Sequence, residues 1–244
     1  MSKQSKAASG LLIVLILVVL VAGLAALAWW LGREEVPKRT ILEVDVQEAL
    51  VEYVPDDPFA AFVLEDKMRL RDFVEALQAA AEDDSVVAMV ARINPQGMGM
   101  AQIDELREAV ALFRRSGKPA VAWADTFGEV LPANGAYYLA TAFDEVYIQP
   151  SGDVGLTGLS IESPFVRGAL EKLAVEPFWS TRYEYKSAGN IFTESEFTEP
   201  EREALEALLG SIFDHMVETM SESRGIPADT LRALIGRASC RERV

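Results

Sequence analysis

The sequence predicts an α/β domain built on a mainly parallel sheet. Val86–Ile93 and Ala120–Ala124 are short apolar runs, the form taken by strands buried on both faces of such a sheet. Stretches with apolar residues at helical spacing separate the strand-like runs, and Gly, Pro, Asn and Asp mark the changes between them. Strand and helix therefore alternate along the chain, the pattern of α/β proteins.

Before that domain lies a different kind of segment. Residues 1–10 carry Lys3 and Lys6 and no acidic side chain. Leu11 to Trp30 carries no charge at all. At about 1.5 Å per residue it would make a helix of roughly 30 Å, the thickness of a bilayer's hydrocarbon core. Trp29 and Trp30 then fall at headgroup level. The expectation is one membrane anchor over residues 11–31 and a charged linker over 32–40. A cleaved signal peptide is the alternative, and Ala26-Leu27-Ala28 resembles a cleavage site, but its apolar region usually runs only about 7–15 residues. Counts of Lys and Arg on the two sides do not decide orientation. The basic start favours a cytoplasmic N-terminus with the domain on the far side of the membrane.

The domain is expected over residues 41–234. Ile41–Val46 alternates apolar and polar residues, as a strand does, and Tyr53–Pro58 is a loop with two prolines. Leu70, Phe73, Val74, Leu77, Ala80 and Ala81 define a first amphipathic helix. After the strand at Val86–Ile93, Asn94–Gly99 is a glycine-containing loop. A helix follows from about Ile103 to Arg115, stopped by Gly117-Lys118-Pro119. The strand at Ala120–Ala124 leads to a helix over Asn134–Ala142 and a strand over Glu145–Ile148. Gly152, Gly155 and Gly158 punctuate the next loop. A helix near Pro164–Lys172, a strand near Val175–Thr181 and a long helix from Pro200 to about Ser223 complete the reading. Glu199, Glu201 and Glu203 suit the positive end of that last helix.

The run Ile235–Val244 differs from everything before it. It holds three arginines and the only cysteine, and it reads residue for residue as a translated sequencing adapter. It is expected to be an artefact rather than protein sequence.

Composition removes several chemistries. A formal net charge of -15 opposes nucleic-acid binding, which needs a basic face. One cysteine, Cys240, allows no intrachain disulfide. One histidine, His215, allows no histidine-rich metal site. His215 lies among Ile212, Phe213, Met216 and Met220 and reads as a partly buried structural residue rather than a triad member. No phosphate-binding glycine motif occurs, and neither cofactor nor metal is expected.

The remaining candidate is Thr181–Asn190, which contains Lys186 between aromatic residues. Lysine serves as a general base only when its pKa falls from about 10.4 to near 7–8, a shift of about 4 kcal/mol. Dry surroundings or a neighbouring cation produce such a shift, and Tyr183 and Tyr185 are candidate apolar walls. Spacing alone would make Lys186 an ordinary surface residue.

Tyr185-Lys186-Ser187-Ala188 with Phe192-Thr193 resembles the lysine motif of the signal peptide peptidase A family, long form. Gln149–Gly158 resembles the loop that precedes it, and Asn134–Ala140 resembles the family's other signature. The likeness extends from about Thr40 to Leu234. It implies a crotonase-like or Clp-protease-like α/β repeat used twice in tandem, with a Ser-Lys dyad split between the repeats. The base carries over to Lys186. The nucleophile does not carry over: Asn134 stands in the serine's place, and an amide cannot take that role. Ser151 and Ser187 are better read as a turn serine and a lysine neighbour. Asn94–Gly99 corresponds to the family's oxyanion loop, but in a repeat without a nucleophile it is expected to be a tight turn.

The resemblance thus implies the N-terminal half of a membrane-bound serine endopeptidase that degrades signal-peptide remnants. That half would be inactive alone and would work in a homo-oligomer, with the domain outside the bacterial inner membrane. Two rivals stand beside it. A short-form peptidase with both dyad members in one repeat would need serine at position 134. A non-enzymatic membrane-anchored scaffold would use the same fold for assembly alone.

Overall fold

The computed structural model describes residues 16–25, 27, 37–55, 57, 67–94, 97–128 and 132–236. The chain forms two compact units, residues 1–40 and residues 41–244. In the first, residues 16–25 are helical and exposed. Among the described residues no helix is long and apolar enough to cross a membrane. The rest of the expected anchor over 11–31, and most of the linker over 32–40, lie outside the described residues.

The second unit is α/β, with elements in the order β1 (Thr40–Val46), α1 (Leu70–Glu82), β2 (Val86–Ile93), α2 (Met100–Arg115), β3 (Ala120–Ala124), α3 (Asn134–Ala140) and β4 (Glu145–Ile148). The strands lie side by side in chain order. β2 pairs with β3, and β3 with β4, in parallel, with Val90 opposite Val121 and Trp123 opposite Tyr147. The two crossovers from β2 to β3 and from β3 to β4 therefore step to the next strand in the same direction. Right-handed crossovers of that kind carry their helices to one face of the sheet, and α1 packs against α2 and α2 against α3.

That face is the core. Met89, Ala91 and Ile93 of β2 and Ala120, Ala122 and Ala124 of β3 point into it. The inward positions of β3 are all alanine, so the bulk comes from the helices: Leu70, Phe73 and Leu77 of α1, and Ile103, Leu106, Val110 and Phe113 of α2. Each large side chain removed from water contributes about 1.5–3 kcal/mol. The other face differs from the expectation of strands buried on both sides. Val90, Arg92, Val121 and Trp123 are only half-buried there, and Tyr147 is exposed. Arg92 covers part of that face itself: its guanidinium lies 4.9 Å from the Trp123 ring centroid and pairs with Asp125.

Beyond β4 the chain is less regular. α4 (Arg167–Lys172) starts later than expected. The strand expected near Val175–Thr181 is absent: residues 175–181 are exposed and irregular. Pro177 lacks the N–H a ladder needs, and these residues pair with no strand of the sheet. A 3₁₀ turn (Ser187–Gly189) runs into α5 (Asn190–Thr193), and two helices follow, α6 (Glu199–Arg224) and α7 (Ala228–Leu234). Gly225 ends α6 at φ 65°, a left-handed turn that glycine adopts without steric cost. Of the run read as an artefact, Ile235 is buried and the Gly236 N–H donates to Leu156 O at 2.7 Å; residues 237–244 lie outside the described residues.

One polar knot joins α6 to the helix layer. Arg107 of α2 is buried and stacks on the Tyr138 ring, 4.0 Å from its centroid. It donates to Tyr138 O, to Thr141 Oγ1 (2.8 Å) and to Ser223 Oγ of α6 (3.0 Å). The Tyr138 hydroxyl donates to Asp104 Oδ1 at 2.6 Å and lies 3.3 Å from His215 Nε2. His215, expected to be partly buried, instead has a side chain 58% exposed, because it faces outward beside Asp104 at the rim of the knot.

Replacing Arg107 with alanine should cost about 2–4 kcal/mol, since several buried acceptors lose their donor together. Urea denaturation at neutral pH measures this. Burial, and next the Asp104 carboxylate, push the Tyr138 hydroxyl up to about 12. An unfolded phenol titrates near 10. The stability held by the neutral phenol is therefore complete below pH 10 and lost as pH rises toward 12. Tyr138→Phe should flatten the pH dependence of the urea midpoint across that window.

Candidate active site

The glycine loop after β4 is fixed by close backbone approach. A Cβ at Gly152 would sit 2.1 Å from Asp125 O, and one at Gly155 would sit 2.7 Å from Gly128 O. Only glycine lets the loop run this near to the end of β3. It does so as a short parallel bridge: Phe127 N–H donates to Asp153 O and Gly155 N–H to Phe127 O. Gly155 O in turn accepts from Ala133 N–H at the start of α3.

Asn134, the first residue of α3, closes the other side of this loop. Its Oδ1 accepts from Gly158 N–H at 3.1 Å, and its Nδ2 donates to Gly158 O at 2.8 Å and to Thr157 Oγ1 at 3.4 Å. The amide thus does what a neighbouring strand would do, satisfying both backbone groups of one residue. Asn134 is buried and fully engaged. Gly158 has φ 86°, which turns the chain away toward α4.

Lys186 lies on a separate stretch. It precedes the 3₁₀ turn and lines a cavity of about 430 Å³ with Trp179, Arg182, Tyr185 and Ser187 among its walls. Trp179 lies flat against Gly189, where a Cβ would be 2.3 Å from the indole, and stacks near Phe192 at 6.3 Å between ring centroids. Lys186 is exposed, and among the described residues its amine has no hydrogen-bond or ion-pair partner. Among the described residues the surroundings of this amine are therefore not dry. Of the two expected walls, Tyr185 lines the cavity, and Tyr183, 72% exposed, does not. Arg182 is the second cation in the same cavity.

Two side chains hold the lysine turn to the first turns of α6. The Tyr185 hydroxyl donates to Glu203 Oε2 at 2.8 Å, and that carboxylate raises the tyrosine's pKa. Asn190 Nδ2 donates to Glu201 Oε2 at 2.8 Å and to Thr198 Oγ1 at 3.3 Å. Sequence reading assigned Glu201 and Glu203 only to the helix dipole and missed Asn190. The signal was the pattern Thr198-Glu-Pro-Glu201, a helix-start motif whose side chains are partly diverted here.

Asn134 and Lys186 are not brought together: the lysine cavity does not include Asn134. Ser151 is exposed in a turn, and Ser187 is half-buried beside Lys186. In the loop Asn94–Gly99, Gly97 has φ 77° and Gly99 N–H donates to Gln102 Oε1 at 3.0 Å, while residues 95 and 96 lie outside the described residues. No group of three or more His, Cys, Asp or Glu side chains converges among the described residues.

Sequence comparison places this arrangement in a peptidase domain. Residues 112–237, just over half the chain, match the family model for peptidase family S49, and the chain belongs to that family, the group of the signal peptide peptidase A proteins. "Protease 4" of Haemophilus influenzae is 31% identical over 166 residues, covering 68% of this chain and 26% of that protein. "Serine protease SPPA, chloroplastic" of Arabidopsis thaliana is 28% identical over 158 residues, covering 65% of this chain and 23% of that protein. "Protease 4" of Salmonella typhi is 28% identical over 163 residues, covering 66% and 26%. The chain spans about a quarter of the length of these curated relatives.

Asn134→Ala should destabilise the domain by about 1–3 kcal/mol, because the Gly158 N–H and C=O lose their partner together. Asn134→Asp should also weaken the clasp, since a carboxylate cannot donate to Gly158 O. Thermal and urea melts of the three proteins check both statements.

Proposed function

We propose that this chain is the lysine-bearing N-terminal repeat of a membrane-anchored serine endopeptidase that degrades cleaved signal peptides. The observation that carries the reading is the contrast between its two motifs. Position 134 holds an amide locked into the backbone of Gly158, which leaves no nucleophile there. The motif around Lys186 is intact and lines a cavity open to solvent. A base without its serine fits half of a divided dyad in a crotonase-like repeat.

In this reading Lys186 takes the proton of a serine supplied by a second repeat. The serine attacks the peptide carbonyl, an acyl-enzyme forms as the amine leaves, and water releases the acid. The second repeat also completes the environment of the base. Phe178 is 93% exposed, and Trp179, Tyr183 and Leu173 are exposed near it in sequence. Covering these side chains removes water from around Lys186 and disfavours its charged form. A homo-oligomer supplies such cover from a neighbouring subunit. Hydrophobic segments lying extended in a groove are the substrates that suit an anchored enzyme of this kind.

In the intact protein, Lys186→Ala should abolish peptide hydrolysis while circular dichroism and melting temperature stay near wild type. Retained hydrolysis would overturn the assignment. Restoration of hydrolysis by Asn134→Ser in this repeat alone would favour the single-repeat enzyme. Assembly without hydrolysis in the intact wild-type protein would favour the scaffold.

A further inference from the structure

The start of α6 breaks a local rule. Thr198 at the N-cap followed by Glu201 at the third helical position is the sequence of a capping box, in which each side chain bonds the other residue's backbone N–H. Here Thr198 makes no side-chain cap bond. Both side chains instead accept from one donor, the Nδ2 of Asn190: Glu201 Oε2 at 2.8 Å and Thr198 Oγ1 at 3.3 Å. The capping groups have been turned outward to hold a residue of another element. Glu201 is buried, and among the described residues no cation pairs with it. The Asn190 amide and the positive end of α6 are what compensate its charge.

Asn190 is one helical turn past Lys186 and is joined to it without a break by the 3₁₀ turn Ser187–Gly189. On the other side of the lysine, Tyr185 reaches Glu203 of the same helix. Lys186 therefore sits between two tethers that end on α6. The Asn190 tether is the more buried of the two, and loss of its donor leaves the buried Glu201 carboxylate without that partner. The Tyr185–Glu203 tether is exposed, and water replaces it easily.

We propose that Asn190 and Glu201 are positioning residues for Lys186: their partly buried hydrogen bond sets the place of the lysine turn on α6. The mechanistic meaning rests on Lys186 being the general base, but the placement itself does not. Local-rule violations of this kind gather where function constrains geometry.

The full chain tests this without any activity. Its lysines are dimethylated with ¹³C-formaldehyde and the Lys186 signal is assigned by Lys186→Arg. Asn190→Ala and Glu201→Ala should each move that signal and speed amide exchange over residues 185–193 by about tenfold or more, with the β2 and β3 amides unchanged. Glu201→Gln, which keeps the acceptor, should restore the wild-type signal and exchange. An unmoved signal in both alanine variants overturns the proposal. Global unfolding of both also overturns it, because the bond is then part of the core and not a local latch. In the intact protein the same alanine variants should lower kcat at unchanged KM. If Lys186→Ala leaves hydrolysis intact while the NMR result holds, the general-base reading falls and the latch stands.

Discussion

A single guanidinium decides how the second half of the domain sits on the first. Arg107 leaves α2, stacks on Tyr138, and reaches Thr141 at the end of α3 and Ser223 of α6 at once. Burying it costs solvation, which also pulls its pKa below the usual guanidinium value. That cost is bearable because several acceptors and an aromatic face receive the charge together. Met216, Val217 and Met220 of α6 then join the core on the same side as the sheet-covering helices. The direction of α6 is set in this way, and its first turns carry the carboxylates that hold the lysine turn. A continuous physical path therefore runs from the sheet, through Arg107 and α6, to Lys186.

The two signature positions of the chain meet different fates for a common reason, which is satisfaction of backbone and side-chain polar groups. At 134 an amide has two faces of hydrogen bonding, and both are spent on Gly158. A serine hydroxyl can donate and accept, but both roles fall on one oxygen of a shorter side chain, which does not span the two groups as the amide's separate Oδ1 and Nδ2 do. Asparagine here is thus a structural fit. At 186 the amine has no partner among the described residues, while its flanking residues are tied down.

Much of the fold was legible in the sequence. The bounds of β2, β3 and β4 follow from apolar runs and their flanking turns, and α1 and α2 from helical spacing, because burial against one face dictates those patterns. The outer face of the sheet was misread: Val90, Val121 and Trp123 look like core residues, and a sequence does not reveal whether a second layer covers them. Val175–Thr181 was misread because β-favouring residues make a strand only where an edge is available to pair with. Of the site, Lys186 and Asn134 came from their motifs. The clasp to Gly158 and the tie from Asn190 to Glu201 join residues 24 and 11 positions apart through side-chain amides, and no periodicity marks such pairs.

Trp179 rests on Gly189, directly beneath the turn that carries Lys186, with Phe192 stacked beyond it. Indole emission depends on the polarity around the ring, so this tryptophan is an internal optical probe of the lysine cavity. The chain's other tryptophans, at 29, 30 and 123, are far from it in sequence and can be exchanged for phenylalanine. What remains is a single fluorophore that reads the hydration of the Lys186 cavity directly, whether or not any peptide bond is being cut.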